Sequence, residues 1–531
     1  MNPPGVIGVA GSGTMGAGIA LLACLSGART QLHDPVPAAL ERGIESIRAR
    51  LEQGASRGRW SAAHAADAGA RVTAAPSVDG LAACELVIEA APESLELKRS
   101  LFERLSRDVV SPDCVLATNT SSLLVSAIAS AATGPERVVG MHFFNPAPVM
   151  RLLEVVAGAY SGERALALAR AAGVAMGKHV IDAADGLGFL VNRCNRPFGL
   201  EALKLAQERV ASFEQIDACC RLGGGFRMGP FELMDLVGVD VGLDIARSFY
   251  EQSFGEPRWR PSPITVRTVA AGRLGRKSGR GYYDYRGGLD SYRPPDPQPA
   301  PAERGDGQVV IAGDSPLAVQ LALAAQAAGW EVATPAEAAE SGSVPSLILD
   351  LAAPDEPEGP LQGGPRAICC AAGSLAALDP AGGAVGFHAL PPLDEAGMVE
   401  LTRSVDSSDA AAVTTERFFA TLAKRTAWVG DAPGLVLGRI VSQLVNEAAF
   451  ALGEGVGSAE DIDAGMIHGL NYPRGPLRWA DEIGLEQVLS VLDGLFDEHR
   501  EERYRAAPLL RRLVWSGRLG RQTGEGFFRY G

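Results

Sequence analysis

The stretch GVIGVAGSGTMGAGIALLACLSG, residues 5–27, decides the fold. Residues 5–10 are short and apolar, as a buried strand is. They run directly into Gly11-Ser-Gly13-Thr14-Met15-Gly16 and then into an apolar helical run. This is G-x-G-x-x-G in the strand–turn–helix setting that its mechanism needs. Gly11 makes the tight turn, Gly13 lets a pyrophosphate approach the backbone, and Gly16 lets the helix pack on the strand. The helix N-terminus then offers free amides and a partial positive charge to the phosphates. A second strand, RTQLHD, ends at Asp34, 18 residues past Gly16. A carboxylate there accepts from the adenosine ribose 2′-OH and repels a 2′-phosphate, which selects NAD over NADP. The expectation is a Rossmann-type domain holding NAD through Gly11, Gly13, Thr14, Met15, Gly16 and Asp34, with His33 beside the adenine edge. The competing reading is a glycine-rich turn in a Rossmann domain that binds no nucleotide.

Working outward, β/α alternation continues. ELVIEAAPE (85–93) reads as a strand leading into a helix over 94–107. CVLATNTSS (114–122), RVVGMHFFNP (137–146) and LLEVV (152–156) read as further strands. Polar residues mark the strand ends at Glu93, Ser121, His142 and Asn145. Ligands of doubly wound sheets sit beyond such ends, so functional side chains belong there.

The chain has 531 residues, which at roughly 150 per domain predicts three or four domains. Hydrophobic residues make up 47% and charged residues 21%, an ordinary globular composition. The 49 basic against 63 acidic residues leave a net charge of −14, which argues against a nucleic-acid partner. No run approaches the ~20 apolar residues of a membrane span, and no basic segment precedes the first apolar run. The eight cysteines lack metal or disulfide-framework spacing and read as free or buried thiols in a reducing, cytoplasmic setting. No metal is expected.

Proline clusters at Pro294, Pro295, Pro297, Pro299 and Pro301, with Gly305 and Gly307 following, predict an extended linker that packs poorly. The two sides of it are related. SFEQIDA (212–218) matches SAEDIDA (458–464), and MGPFELMDLVG (228–238) matches RGPLRWADEIG (474–484), both at an offset of 246. RLGRKSGRGYYDY (273–285) matches RLGRQTGEGFFRY (518–530) at 245. Three ordered blocks at near-constant offset mean an internal duplication. The starts correspond at 302 instead, Gly11 to Gly313, so the second copy is 56 residues short. The expected architecture is α/β plus α, a Rossmann domain and a helical domain, duplicated, with a degenerate second Rossmann domain. The expected divisions are a Rossmann domain (1–183), a helical domain (184–286), the linker (287–307), a degenerate Rossmann-like domain (308–430) and a second helical domain (431–531).

The fingerprint GSGTMGAGIA, then VIEAAPES, NTSS, GMHFFNPAPVMRLLEVV, GFLVNR, MGPFELMDLVG and GRKSGRGYYDY together resemble the L-3-hydroxyacyl-CoA dehydrogenase family in order and spacing over residues 1–286. The duplicated length resembles its long bacterial form, the 3-hydroxybutyryl/3-hydroxyadipyl-CoA dehydrogenases of phenylacetate-type catabolism. The resemblance implies NAD-dependent oxidation of an L-3-hydroxyacyl-CoA thioester to the 3-oxo compound, in fatty acid or aromatic breakdown. Such a reaction needs a base for the hydroxyl proton, and a histidine titrating near neutrality suits that task. His142 is the candidate. Glu154 stands 12 residues on among Leu152, Leu153, Val155 and Val156, where a buried carboxylate needs a partner; pairing with His142 would orient the ring. By resemblance, Ser121 bonds the substrate oxygen near nicotinamide, Asn192 contacts the 3-oxygen or thioester, and Glu93, Lys98 and Asn145 serve the cofactor. Taken alone, Asn192 could be a helix cap and Lys98 a solvated surface charge. Arg42, Arg48 and Arg50 either reach the CoA phosphates or form an exposed helix face. His64, His179, His468 and His499 read as structural or exposed, and DEHREERYR (497–505) as a solvated helix.

In the second copy Gly313-Asp-Ser-Pro316 replaces the fingerprint, so no phosphate loop is expected. His388 and Glu400 keep the 12-residue spacing, but Pro391 stands for Asn145, Gly438 for Asn192, and AAGSLAA (371–377) is the nearest remnant of NTSS. The second half is therefore expected to pack rather than catalyse. Helical domains of this family pair, so the resemblance implies either a homo-oligomer, a dimer, or, since duplication could make that pairing internal, a pseudo-dimer with the second copy walling the acyl-CoA site. Two other readings stay open: a dehydrogenase of a non-CoA hydroxy acid, and a non-catalytic NAD-binding scaffold.

Overall fold

The computed structural model describes residues 1–289, 292–298, 304–352 and 363–531. These form two compact units, one of Met1–Arg193 with Glu454–Leu470, the other of Cys194–Gly453 with Asn471–Gly531.

The first unit is built on eight strands: β1 (Val6–Ala10), β2 (Arg29–His33), β3 (Val72–Ala75), β4 (Leu86–Glu89), β5 (Val115–Thr118), β6 (Val138–Phe143), β7 (Leu152–Ala157) and β8 (His179–Ala184). They lie in the order β3-β2-β1-β4-β5-β6-β7-β8. β1 is buried along its whole length, as a central parallel strand covered on both faces must be. The helix Thr14–Leu25 is apolar all round because the helices Pro37–Ser56 and Ala62–Ala70 cover its outer side. β3 and β8 are short strands that sequence periodicity did not reveal. The chain reverses once, between β6 and β7, which pair antiparallel with His142 directly opposite Glu154. The 12-residue spacing is thus a cross-strand pair on one face of the sheet.

The second unit repeats the plan with β9 (Gln308–Ala312), β10 (Glu331–Ala333), β11 (Leu347–Asp350), β12 (Arg366–Cys369), β13 (Val385–His388), β14 (Met398–Arg403) and β15 (Arg425–Trp428). Their order is β10-β9-β11-β12-β13-β14-β15. β9 and β11 stand where β1 and β4 stand in the first sheet, and the stretch between them is much the shorter. Most of the 56-residue deficit is therefore the region of the two helices Pro37–Ser56 and Ala62–Ala70 and of β3. The helix Pro316–Ala328 consequently keeps Val319 and Leu323 exposed.

The helical segments of both copies belong to the second unit, save residues 454–470. Their closing aromatic motifs are held alike. Asp235 accepts from the amides of Tyr282 and Tyr283 and the hydroxyl of Tyr285 at 2.9–3.0 Å. Asp481 accepts from the amides of Phe527 and Phe528 and the hydroxyl of Tyr530, each at 2.9 Å. The helix Leu437–Gly453 packs on the helix Arg196–Glu208, and at their crossing Arg439 is fully buried. Its guanidinium reaches Glu201 at 2.6 Å, Glu208 at 2.7 Å and the Tyr504 hydroxyl at 2.7 Å. Arg503 adds a second contact to Glu201 at 3.2 Å.

Two expectations change here. The run 497–505 is not a solvated helix: the helix stops at His499, and Arg503 and Tyr504 are buried because they neutralise Glu201. The proline-rich stretch is not free of packing either. Its described part is bound to the second unit through Tyr292 and Arg293 on Glu232, Asp296 on Arg221, and the Pro297 carbonyl on Arg425. Pro299 and Pro301 lie outside the described residues.

Replacing Arg439 by alanine would leave Glu201 buried without its main counter-charge, which costs about 3–5 kcal/mol. The expected outcome is a lowered urea midpoint, read by circular dichroism.

Candidate active site

The glycine turn has the shape that a dinucleotide requires. Gly11 adopts φ +109°, and a Cβ there would strike the Ala90 carbonyl. A Cβ on Gly16 would strike the Gly11 carbonyl, whereas Gly13 faces open space. The helix that follows starts at Gly13 without a side-chain cap, leaving its first amides available. Asp34 accepts from the Ser12 amide and hydroxyl, both at 2.9 Å, and from the Val36 amide at 2.9 Å. Burial pushes its carboxyl up, but these donors outweigh that and hold it below the ordinary value. Asp34 also borders a cleft of about 340 Å³ lined by Leu40, Ile44, Arg48, Ala74 and Pro76. An open glycine, an uncapped helix and an ionised carboxylate beside a cleft fit a phosphate-linked nucleoside. Thr14 and Met15 form the first residues of that helix. His33 is buried, with Nδ1 2.9 Å from the Ala75 carbonyl. Arg42 and Arg48 are exposed on the helix Pro37–Ser56, and Arg50 is half-buried.

Beyond β4 and β5 lies a charged cluster that sequence reading only partly saw. Lys98 is not a solvated surface charge. It is 1% exposed and reaches Glu89 at 2.8 and 3.0 Å and Glu93 at 3.1 Å. Glu89, at the end of β4, also accepts from the Thr118 hydroxyl and the Ala91 amide, both at 2.6 Å. Glu93 binds the turn after β5 through the Thr120 hydroxyl, the amides of Ser121 and Ser122, and the Ser122 hydroxyl. Burial raises the Glu93 carboxyl, but the Lys98 ammonium and the Thr120 hydroxyl bring it down to about 2. Glu89 was missed in the sequence. The signal was present, because LVIE places a carboxylate among apolar strand residues as LLEVV does.

Ser121 is exposed at the end of this turn, with its amide pinned by Glu93. Asn119 joins the turn to β6 by accepting from the Phe143 amide at 2.8 Å. Asn145 is exposed just past the end of β6. His142 is buried, with Nδ1 2.5 Å from Glu154 Oε2 and its ring against Phe144 and Phe189. The other Glu154 oxygen accepts from the amides of Leu190 and Val191 at 3.1 and 2.9 Å. These amides open the short helix Val191–Cys194 that carries Asn192, so one carboxylate ties the histidine to the asparagine's helix.

In the second unit the same frame is filled differently. Gly313 keeps the turn, at φ +95°, but the Ser315 hydroxyl caps the helix by accepting from the Ala318 amide. His388 and Glu400 are opposite each other in β13 and β14. Glu400 instead takes the Val436 amide at 2.8 Å and the Leu437 amide at 2.9 Å. The His388 ring occupies the place that a Cβ at Gly438 would fill, and its Nδ1 has no hydrogen-bond partner among the described residues. Burial pushes Glu400 up to about 7 and His388 down to about 4.

Sequence models of two domain types match this chain. The 3-hydroxyacyl-CoA dehydrogenase NAD-binding domain matches residues 6–186, and the corresponding C-terminal domain matches 188–285 and again 434–530. The chain belongs to the 3-hydroxyacyl-CoA dehydrogenase family. It is an NAD-dependent oxidoreductase. The chain is 36% identical to the 3-hydroxyadipyl-CoA dehydrogenase of Escherichia coli K12, over 96% of its own length and 98% of that protein's. It is 38% identical to a 3-hydroxybutyryl-CoA dehydrogenase of Bradyrhizobium diazoefficiens, over 53% of this chain and 95% of the relative. Among solved structures, it is similar to an Escherichia coli K12 3-hydroxybutyryl-CoA dehydrogenase with TM-score 0.80 and 34% identity, covering 97% and 99% of the two chains. Among the described residues, no helix of this dehydrogenase is long and apolar enough to cross a membrane.

Two outcomes follow from this geometry. Gly16→Ala forces the glycine turn apart, and calorimetric titration should show NAD affinity lowered by more than about tenfold, roughly 1.4 kcal/mol. For His388, the folded state resists a proton that the unfolded chain accepts near pH 6.5, so stability is full above that pH and falls as pH drops toward 4. His388→Phe should remove on the order of 2 kcal/mol of that acid loss in urea unfolding at two pH values, with turnover unchanged.

Proposed function

We propose that the first unit oxidises the C3 hydroxyl of an L-3-hydroxyacyl-CoA thioester with His142 as base. The observation that carries this reading is the 2.5 Å contact between His142 Nδ1 and a Glu154 carboxylate whose other oxygen is held by two backbone amides. A carboxylate can only accept, so Nδ1 carries the proton and Nε2 presents its lone pair. Nε2 takes the substrate hydroxyl proton as the C3–O bond becomes a carbonyl. Glu154 then lies against the imidazolium and stabilises its charge. NAD, when bound, supplies the acceptor for the hydride that leaves C3.

The other residues orient. Gly11, Gly13, Thr14, Met15, Gly16 and Asp34 hold the dinucleotide, and Glu93, Lys98 and Asn145 serve its nicotinamide side. Ser121 and Asn192 bond the substrate oxygen and thioester. Glu89 holds Lys98 in place. The substrates we assign are short thioesters of the 3-hydroxybutyryl and 3-hydroxyadipyl type, the compounds for which the relatives are named, oxidised in fatty acid or aromatic catabolism in the cytoplasm. We divide the chain as its repeats suggest, at 183, 286, 307 and 430, with the two helical domains paired as an internal pseudo-dimer.

The test follows NADH absorbance with acetoacetyl-CoA. His142→Ala should lower kcat by about 10²–10⁴-fold, and Glu154→Gln by a similar order, with NAD affinity retained. Full turnover by His142→Ala would overturn the assignment. Turnover of free 3-hydroxy acids as fast as thioesters would move the substrate class away from CoA.

A further inference from the structure

The helical segment of the first copy encloses a cavity where its duplicate carries larger side chains. The cavity measures about 120 Å³ and lies among the helices Arg196–Glu208, Pro230–Val237, Val239–Gln252 and Pro263–Ala270. Its walls include Gly199, Leu203, Leu233, Gly242, Leu243 and Ala246. At the offset of 246, Gly199 corresponds to Val445, Gly242 to Val488 and Ala246 to Leu492. All three larger residues are buried where the helices Leu437–Gly453 and Leu485–His499 pack on each other. The same two helices of the first copy are parted by the cavity.

Glycine inside a helix is a poor choice unless the backbone demands it. Where it does, both copies keep glycine: Gly238 at φ +108° corresponds to Gly484 at +98°. Gly281 and Gly526 likewise lie so close to the carboxylates of Asp235 and Asp481 that no Cβ fits. Gly199 and Gly242 answer to neither demand. Neither has a positive φ, a Cβ on Gly242 would meet nothing within 4 Å, and one on Gly199 would meet only Met234 Sδ at 3.6 Å. What they supply is room.

The polar groups on the walls are already engaged. The Ser262 hydroxyl accepts from the Ile264 amide at 3.2 Å, and Thr265 shares a bond with the Tyr282 hydroxyl at 3.2 Å. Asn195 accepts from the Tyr472 hydroxyl at 2.7 Å, and the Arg196 guanidinium lies over the Phe249 ring. The remaining walls offer apolar contact, and a polar ligand would lose water there without return. Val237 on the lining is half-exposed, which opens the cavity to the surface. Exposed Leu236 and Val241 stand beside it, where the second copy has Glu482 and Gln487.

We propose that this cavity is a binding site for an unbranched alkyl chain of about four to six carbons, entering past Val237. An apolar cavity of about 150 Å³ stays dry and takes a six-carbon ring, so the size fits. The chain can belong to a free carboxylic acid or to the acyl group of a thioester; the alkyl tail is common to both.

Calorimetric titration of the full chain with butyrate, hexanoate and decanoate tests it. Affinity should rise roughly fourfold per buried methylene, ~15-fold from butyrate to hexanoate, and level off before decanoate as the cavity fills. Gly242→Val installs the second copy's residue and should lower hexanoate affinity at least about tenfold. Gly199→Val should do the same from the facing helix, and serves if the first variant does not fold. Hexanoate binding no tighter than butyrate overturns the proposal, as does hexanoate binding that survives both substitutions. Turnover of acetoacetyl-CoA and 3-oxooctanoyl-CoA then separates the sources. A loss of kcat/KM in Gly242→Val confined to the longer thioester assigns the site to the substrate's tail; lost hexanoate binding with both thioesters unaffected assigns it to a separate acid.

Discussion

A carboxylate buried in an apolar sheet must have its oxygens filled, and the way Glu154 fills them organises the first unit. One oxygen takes two amides at the start of the helix bearing Asn192; the other takes His142. Strand pairing, helix entry and ring orientation are thereby fixed by a single side chain. Leaving such a group unpaired would cost several kcal/mol, so the arrangement is cooperative rather than optional. Glu400 obeys the same rule with a different set of donors, and the result is a pair of groups that both favour neutrality.

The charged cluster beyond β4 and β5 applies the same constraint. Glu89 is filled by Lys98, Thr118 and the Ala91 amide, which brings a lysine to near-complete burial without leaving its charge alone. Lys98 in turn holds Glu93, and Glu93 shapes the turn that ends in Ser121. The exposed serine is thus three links from a strand carboxylate, and the rigidity of the turn comes from charge-assisted bonds. Preorganisation of this kind is what an active site needs before a substrate arrives.

Much of this was legible in the chain. The fingerprint of residues 11–16 specifies backbone geometry, because only glycine tolerates Gly11's φ and the close approach at Gly16. The His142 and Glu154 spacing was readable because antiparallel pairing turns sequence separation into contact. Burial created by distant partners was not readable. Arg503 and Tyr504 sit in a run of charges, and only the arrival of Glu201 from about 300 residues away takes them out of water. Lys98 looks like any helix lysine until two carboxylates converge on it. The proline-rich stretch lacks apolar periodicity, yet Glu232 and Arg221 capture it by charge. The membership of residues 454–470 in the first unit was illegible for the same reason, since local pattern says nothing about which sheet a helix covers.

The crossing of the helices Arg196–Glu208 and Leu437–Gly453, with Arg439 at its centre, joins two halves of one polypeptide. A pairing between separate subunits weakens as protein becomes scarce, whereas partners on one chain meet at a local concentration set by the connection between them. The folded state of this crossing is therefore independent of how much protein a cell makes. Each chain synthesised carries its own partner, at the expense of translating a second half.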